Sequence, residues 1–177
     1  MKIRPTTPAD LDRVMDILAG GRRSLAELGI DQWQNGYPPR ELIEDDVARG
    51  ESYVVEDEGG DVVGCAALVF GGEACYDRIE GGSWLTESDS AAPRYAAIHR
   101  VAVARELRRG GVARFLVGQL EELSRACGFE SVRIDTHPGN APMRGLVEAL
   151  GYTYCGITFI GHAEGATRER VSYEKLL

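Results

Sequence analysis

Apolar residues change their period several times along the chain, and each change marks an element. Leu11, Val14, Met15, Ile17 and Leu18 recur at helical spacing behind Thr6-Thr7-Pro8, where either threonine can cap a first turn and proline suits the first helical position. This predicts a helix from about Pro8 to Gly29, with Gly20-Gly21 as the place where it would break, after a short strand at Ile3 and Arg4. A second helix, Pro39 to Arg49, is marked by Leu42, Ile43 and Val47. Ser52 to Glu56 and Val62 to Phe70 are β-branched and apolar around Asp57-Glu58-Gly59-Gly60-Asp61, the pattern of a hairpin. From Gly71 to Arg94 no period survives, and so long a loop in a compact domain is often functional. Tyr95 to Ala104 reads as a buried strand. Val112, Phe115, Leu116, Leu120 and Leu123 then mark a helix that ends near Cys127-Gly128. A strand at Ser131 to Asp135, a helix capped by Asn140 and stopped at Gly151, and strands at Tyr152 to Ile160 and Arg170 to Lys175 complete the chain. The order β-α-α-β-β-β-α-β-α-β-β predicts a mixed α/β sheet.

At 177 residues and 44% hydrophobic, the composition is that of one globular domain spanning 1–177. No window approaches the roughly 20 apolar residues of a membrane span, and Met1-Lys2-Ile3-Arg4-Pro5 lacks a signal-peptide apolar run. The expected location is the cytoplasm, with no membrane partner. Cys65, Cys75, Cys127 and Cys155 are scattered, without metal-ligand spacing, and are read as reduced structural thiols. A net charge of −8 argues against nucleic acid, because phosphate binding needs surplus Lys and Arg. Against that background Arg100, Arg105, Arg108, Arg109 and Arg114 crowd together, as a small polyphosphate ligand would require.

Arg108-Arg109-Gly110-Gly111-Val112-Ala113 lies between the buried strand and a helix start. Unpaired backbone N–H groups, glycines without Cβ atoms and the helix dipole together make an anion site. Val101-Ala102-Val103 followed by Arg108-x-x-Gly111-x-Ala113 resembles the acetyl-CoA motif of the GNAT superfamily, Arg/Gln-x-x-Gly-x-Gly/Ala. The resemblance continues through Thr136-His137-Pro138-Gly139-Asn140-Ala141-Pro142-Met143 and Leu150-Gly151-Tyr152. It implies a GNAT-like α/β (α+β) fold: a mixed, mainly antiparallel central sheet flanked by helices on both faces. It also implies acetyl-CoA as acyl donor. Main-chain groups of Val101, Ala102 and Val103 would hold the pantetheine arm, amides from Arg109 through Gly110, Gly111, Val112 and Ala113 to Arg114 would hold the pyrophosphate beside Arg108, and Asn140 with Met143 would complete the cofactor side.

The implied activity is N-acetyl transfer to a primary amine of a small molecule or peptide, in a ternary complex. Such a reaction needs a neutral amine, a donor for the carbonyl oxygen and a proton for the thiolate. Strict alternation puts Ala97, His99, Val101 and Val103 on one strand face, the face on which the family resemblance implies the catalytic groups, which makes His99 the candidate base. A packed histidine is the equal alternative. Arg100, pointing the other way, is read as structural. Val147 stands where many members carry the tyrosine that protonates the thiolate; Tyr173 on the last strand is the substitute candidate, with water as the other. Cys127 and Cys155 are read as small buried residues, and Tyr152 as core.

Trp33, Tyr37, Tyr76 and Trp84 lie in polar loops and are candidate acceptor-binding residues, with pinning of the loops as the competing reading for the tryptophans. Asp31, Asp77, Glu80, Glu87 and Asp89 nearby would suit a cationic amine. A catalytically weak acetyl-CoA sensor is the alternative function. A dinucleotide oxidoreductase is disfavoured because Gly110-Gly111-Val112-Ala113 makes no GxGxxG turn. An exposed last strand would offer pairing to a homodimer.

Overall fold

The computed structural model describes residues 1–161 and 168–177. Among the described residues seven strands, β1 (Lys2–Pro5), β2 (Ser52–Glu56), β3 (Val62–Val69), β4 (Tyr95–Val103), β5 (Ser131–Thr136), β6 (Thr153–Phe159) and β7 (Glu169–Leu176), form one sheet in the order β1-β2-β3-β4-β5-β7-β6. Only β4 and β5 run parallel. Helices α1 (Leu11–Glu27) and α2 (Arg40–Ala48) cover one face, α3 (Val112–Ala126) and α4 (Ala141–Ala149) the other. The mainly antiparallel, helix-flanked sheet expected from sequence is the sheet observed.

The pattern explains the elements. Asp10 accepts from Thr7 N at 2.8 Å and Thr7 Oγ1 at 2.7 Å, fixing the turn before α1 with Pro8 inside it. Leu11, Val14, Ile17 and Leu18 then bury one face of α1 against Val54, Cys65 and Ala102. The helix expected from Pro8 to Gly29 is α1, and it runs unbroken through Gly20-Gly21, where a break could have fallen. Gly21 is there for closeness, since a Cβ at this position would sit 3.1 Å from the Trp33 ring.

On the other face α3 buries Leu116, Val117 and Leu120 completely against Val63, Leu68, Ile98 and Val132, each worth about 1.5–3 kcal/mol of apolar transfer. The loop between β3 and β4 has structure: a short 3-10 turn at Ala74–Tyr76 and a bridge from Glu80 to Ile157. The fully buried Arg133 reaches into it, donating from Nη2 to Thr86 O at 2.7 Å. Its guanidinium lies 4.1 Å from the Trp84 ring and 3.8 Å from that of Tyr95. Glu174, also fully buried, accepts from Arg133 Nε at 3.0 Å, Ser131 Oγ at 2.6 Å and Thr86 N at 3.2 Å. A buried ion pair thus fastens the loop to the sheet.

Two expectations fail here. The last strand, β7, is interior, bonded to β5 and β6 on its two sides; the edge belongs to β6, so β7 has no edge to offer a second copy. Cys127 is exposed, because it caps α3 beyond the last buried turn, while Cys155 is buried.

Candidate active site

The expected anion site begins with conformation. Arg109 and Gly111 have φ of 66° and 82°, left-handed values that cost a side-chain-bearing residue roughly 1–2 kcal/mol and glycine nothing. Gly111 is the N-cap of α3 and brings no capping side chain. Phe115 N is the first amide to bond back, to Gly111 O at 2.9 Å. The amides of Val112, Ala113 and Arg114 therefore open outward at the positive end of a 15-residue helix. Arg108 is tied inward, its Nη2 donating to Gly20 O at 3.0 Å, so it anchors the turn to α1. Gly110 lies outside the cleft lining, its amide spent on Leu107 O at 3.1 Å.

The cleft itself is a fault in the sheet. β4 and β5 pair only at Tyr95, Ala96 and Ala97 with Ser131, Val132 and Arg133. Beyond that point the strands diverge, and Ile98 to Val103 on one side and Ile134 to Thr136 on the other line a cavity of about 1240 Å³. That exceeds the roughly 300–1,000 Å³ of a single small-ligand pocket. Val101, Ala102, Val103, Arg109, Gly111, Val112, Ala113, Arg114, Asn140 and Met143 line it. Asn140 also caps α4, accepting from Met143 N at 3.2 Å, while its Nδ2 donates to Thr136 Oγ1 at 3.0 Å.

Strict alternation of β4, as expected from sequence, is broken by a bulge. Ala67 faces His99 and Cys65 faces Ala102, so Arg100 and Val101 together oppose one residue of β3, and Arg100 has φ 56°. The extra residue reverses the side-chain faces. Val101 and Val103 pack with the α3 core and Ala102 with α1. His99 stays on the face of Ala97, Tyr76 and Tyr95. The valines and His99 are on opposite faces, contrary to expectation.

Arg100 holds the bulge from the side. Its Nη2 donates to Asp46 Oδ2 at 2.7 Å and its Nη1 to Tyr37 Oη at 3.0 Å. Asp46, 1% exposed, accepts also from Arg49 at 2.7 Å.

His99 has a partner that the sequence did not suggest. Glu73 Oε1 lies 2.9 Å from His99 Nε2, both side chains mostly buried and lining the cavity. Burial opposes the ionised Glu73, but the His99 contact and the charges of His99 and Arg100 outweigh it and hold the carboxyl below its ordinary range. Cys75 lines the same end, its thiol pushed up to about 12, chiefly by burial; it is therefore no thiolate nucleophile near neutrality.

A strap from α1 to α2 crosses this end. Gln32, Trp33, Asn35 and Tyr37 line the cavity. Tyr37 reaches Arg100 on β4, and Gln32 Oε1 accepts from Thr136 Oγ1 and His137 N, both at 3.4 Å, at the end of β5.

Besides Gly110, three expected site residues lie off the cleft. Tyr76 is 1% exposed and donates to Asp135 Oδ1 at 2.6 Å. Trp84 donates from Nε1 to Tyr76 O at 2.8 Å and covers Arg133, so it pins the loop. Tyr173, 1% exposed, is held under α4, its hydroxyl accepting from Arg144 Nε at 3.2 Å and donating to Glu148 at 3.0 Å. Burial, first of all, pushes that phenol above its ordinary range. Val147 is fully buried core.

Known proteins place this geometry. The solved acetyltransferase of the GNAT family from Streptococcus agalactiae is 32% identical, with 99% of this chain and 95% of that chain covered and a TM-score of 0.85. The ribosomal-protein-alanine N-acetyltransferase from Brucella melitensis (22% identity, 100% of both chains, TM-score 0.63) shares the fold. So does a chimera of the spermidine N-acetyltransferase from Vibrio cholerae (16% identity, 99% of this chain and 97% of that one, TM-score 0.65). No curated protein matches the sequence. The model described as acetyltransferase (GNAT) family matches residues 22–152, which contain the diverging strands, the Gly111 helix mouth and Asn140. The chain belongs to the acetyltransferase (GNAT) family.

Proposed function

We propose that the chain, as one domain in the cytoplasm, transfers the acetyl group of acetyl-CoA to a primary amine of a small molecule or peptide, by direct attack in a ternary complex. The observation that carries this reading is the two-sided cleft: an uncapped, arginine-flanked helix mouth at Gly111 on one side of β4 and the His99–Glu73 pair on the other. The helix mouth fits a pyrophosphate, because its amides have no side-chain cap and Gly111 leaves open space above the turn. Past Ala97, β4 has no partner strand on its β5 side among the described residues. Main-chain groups of Val101 to Val103 are thus available to an extended pantetheine arm in the manner of an added strand.

His99 takes the proton as the amine nitrogen attacks the thioester carbonyl, and Glu73 steadies the imidazolium that results. A backbone N–H near the Arg100 bulge meets the oxygen that gains charge. The carbon–sulfur bond then breaks, and the thiolate takes its proton from water, since Tyr173 is buried elsewhere. Relatives of this fold act on ribosomal-protein alanine and on spermidine, both amines. Following free thiol with a panel of amines tests the reading: amine-dependent release supports transfer. The buried Val147 on α4 and the position of Tyr173 off the cleft favour one second reading, a binding module that holds acetyl-CoA without turning it over. Tight acetyl-CoA binding with no release for any amine would select it.

A further inference from the structure

A bulge whose first residue turns left-handed is ordinarily built on glycine, which enters that region without steric cost. β4 puts an arginine there. Arg100 has φ 56°, and among the described residues other than glycine only Trp33 and Arg109, both outside the strands, share a positive φ. A conformation this unfavourable persists only where the surroundings over-determine it. The side chain supplies the hold.

The Arg100 guanidinium, 10% exposed, donates from Nη2 to Asp46 Oδ2 at 2.7 Å and from Nη1 to Tyr37 Oη at 3.0 Å. Asp46 lies on α2 and is 1% exposed; its other oxygen, Oδ1, accepts from Arg49 Nη2 at 2.7 Å. Both oxygens of one buried carboxylate are thus committed, and Ile43, three positions earlier, packs α2 into the core beside Val54. Burial pushes the Asp46 carboxyl above its ordinary range against the pull of Arg100 and Arg49, so its ionised form depends on those two partners. The anchor is therefore rigid, and it pulls on one residue of the strand.

That residue stands between the groups that the reaction uses. His99 precedes it, and Val101 to Val103, past the last pairing with β5 at Ala97, follow it. The dihedrals of Arg100 set the direction of the following amides relative to the imidazole before it. Arg100 lines the cleft, whereas Asp46 does not, so an effect of Asp46 on the chemistry has to travel through Arg100.

We propose that Asp46 and Arg100 are positioning residues: through the Arg100 guanidinium, the α2 carboxylate holds the β4 bulge in the turn that aims a backbone N–H at the acetyl carbonyl. This rests on the acetyl-transfer reading and names the groups that set its geometry.

The test uses Asp46→Asn, which keeps the side-chain shape and removes the charge. Amide proton shifts of Arg100 to Val103, compared between the coenzyme A and acetyl-CoA complexes, report the carbonyl contact without turnover. In the wild type at least one of these amides should differ between the complexes, and in Asp46→Asn the difference should be lost while coenzyme A affinity is unchanged. With the amine that supports thiol release, kcat should fall about ten- to hundredfold, the scale of a misplacement of roughly 1 Å. Adding Arg100→Gly should recover part of that kcat, because glycine takes the left-handed turn without a tether. No amide difference in the wild type, a difference kept in Asp46→Asn, wild-type kcat in that variant, or a double variant no faster than the single one would each overturn the proposal. If Asp46→Asn does not fold, Arg100→Lys, which keeps the charge and loses the forked contact, is read by the same shifts and kcat. An amide difference that depends on Asp46 in a protein without amine-dependent release brings down acetyl transfer alone. Release that is indifferent to Asp46 brings down only the positioning role.

Discussion

Glu73 Oε1 stands 2.9 Å from His99 Nε2 across the acceptor end of the cleft, a loop carboxylate meeting a strand imidazole 26 positions away in sequence. His99 Nε2 has no hydrogen-bond partner among the described residues, so this ion-pair contact governs how the imidazole is held. His99→Gln should lower kcat on the order of 10²-fold, the usual cost of losing a general base, with acetyl-CoA affinity unchanged. Glu73→Gln should lower kcat by less and shift the acidic limb of the kcat/KM profile. Steady-state kinetics across pH checks both; wild-type kcat and limb in His99→Gln would make the histidine structural.

At the donor end, Gly111→Asp places a negative charge at the mouth of α3 and forces a side chain to φ 82°. A Cβ there meets nothing within 4 Å, so the effect comes from charge and backbone conformation. Two like charges about 4 Å apart near a protein surface repel by roughly 4 kcal/mol, and the expected fall in acetyl-CoA affinity is on the order of tenfold or more. Calorimetry on the folded variant measures it; an unchanged Kd would move the phosphate site elsewhere.

Trp84 and Glu174 should matter to stability and leave donor affinity alone, since they close the buried pair that pins the loop. Glu174→Gln leaves the fully buried Arg133 without its counter-charge, a loss of about 3–5 kcal/mol for breaking such a pair. Urea unfolding reads it directly. A change below about 0.5 kcal/mol, the scale of an inert surface substitution, would show that the loop is held by packing alone.

Helix and strand periods made nearly every element legible, and Arg108-x-x-Gly111 with Asn140 made the helix mouth beside the cleft legible, because those features are local. The bulge was not: Tyr95 to Val103 alternates smoothly and carries no glycine, and Arg100 takes φ 56° under the pull of Asp46 and Tyr37, which lie 54 and 63 residues away. Glu73 was one acid in a polar loop, and only the fold brings it to His99. Trp84 looked like a recognition residue because its true partner, Arg133, lies on a later strand. Tyr173 looked available because neighbouring strands cannot be ordered from sequence; β7 proved interior.

Acid should loosen the N-terminal turn first. The Arg4 hydrogen bonds, opposed by burial and helped by Thr7, hold the Asp10 carboxyl well below its ordinary range. A carboxyl depressed in the folded state gives stability that is full above the unfolded value near 4 and is lost as pH falls toward the folded value. The unfolding free energy of the wild type should therefore decline below about pH 4 more steeply than that of Asp10→Asn. Parallel slopes in urea titrations at stepped pH would contradict the assignment.

Catalysed acetyl transfer is tested most directly by coupling free-thiol release from acetyl-CoA to mass analysis of the amine. Thiol release is expected only when an amine is present, in equal amount to acetylated amine, and strongly reduced in His99→Gln. Acetyl-CoA bound at the Gly111 mouth with no amine-dependent thiol release across the panel would contradict it.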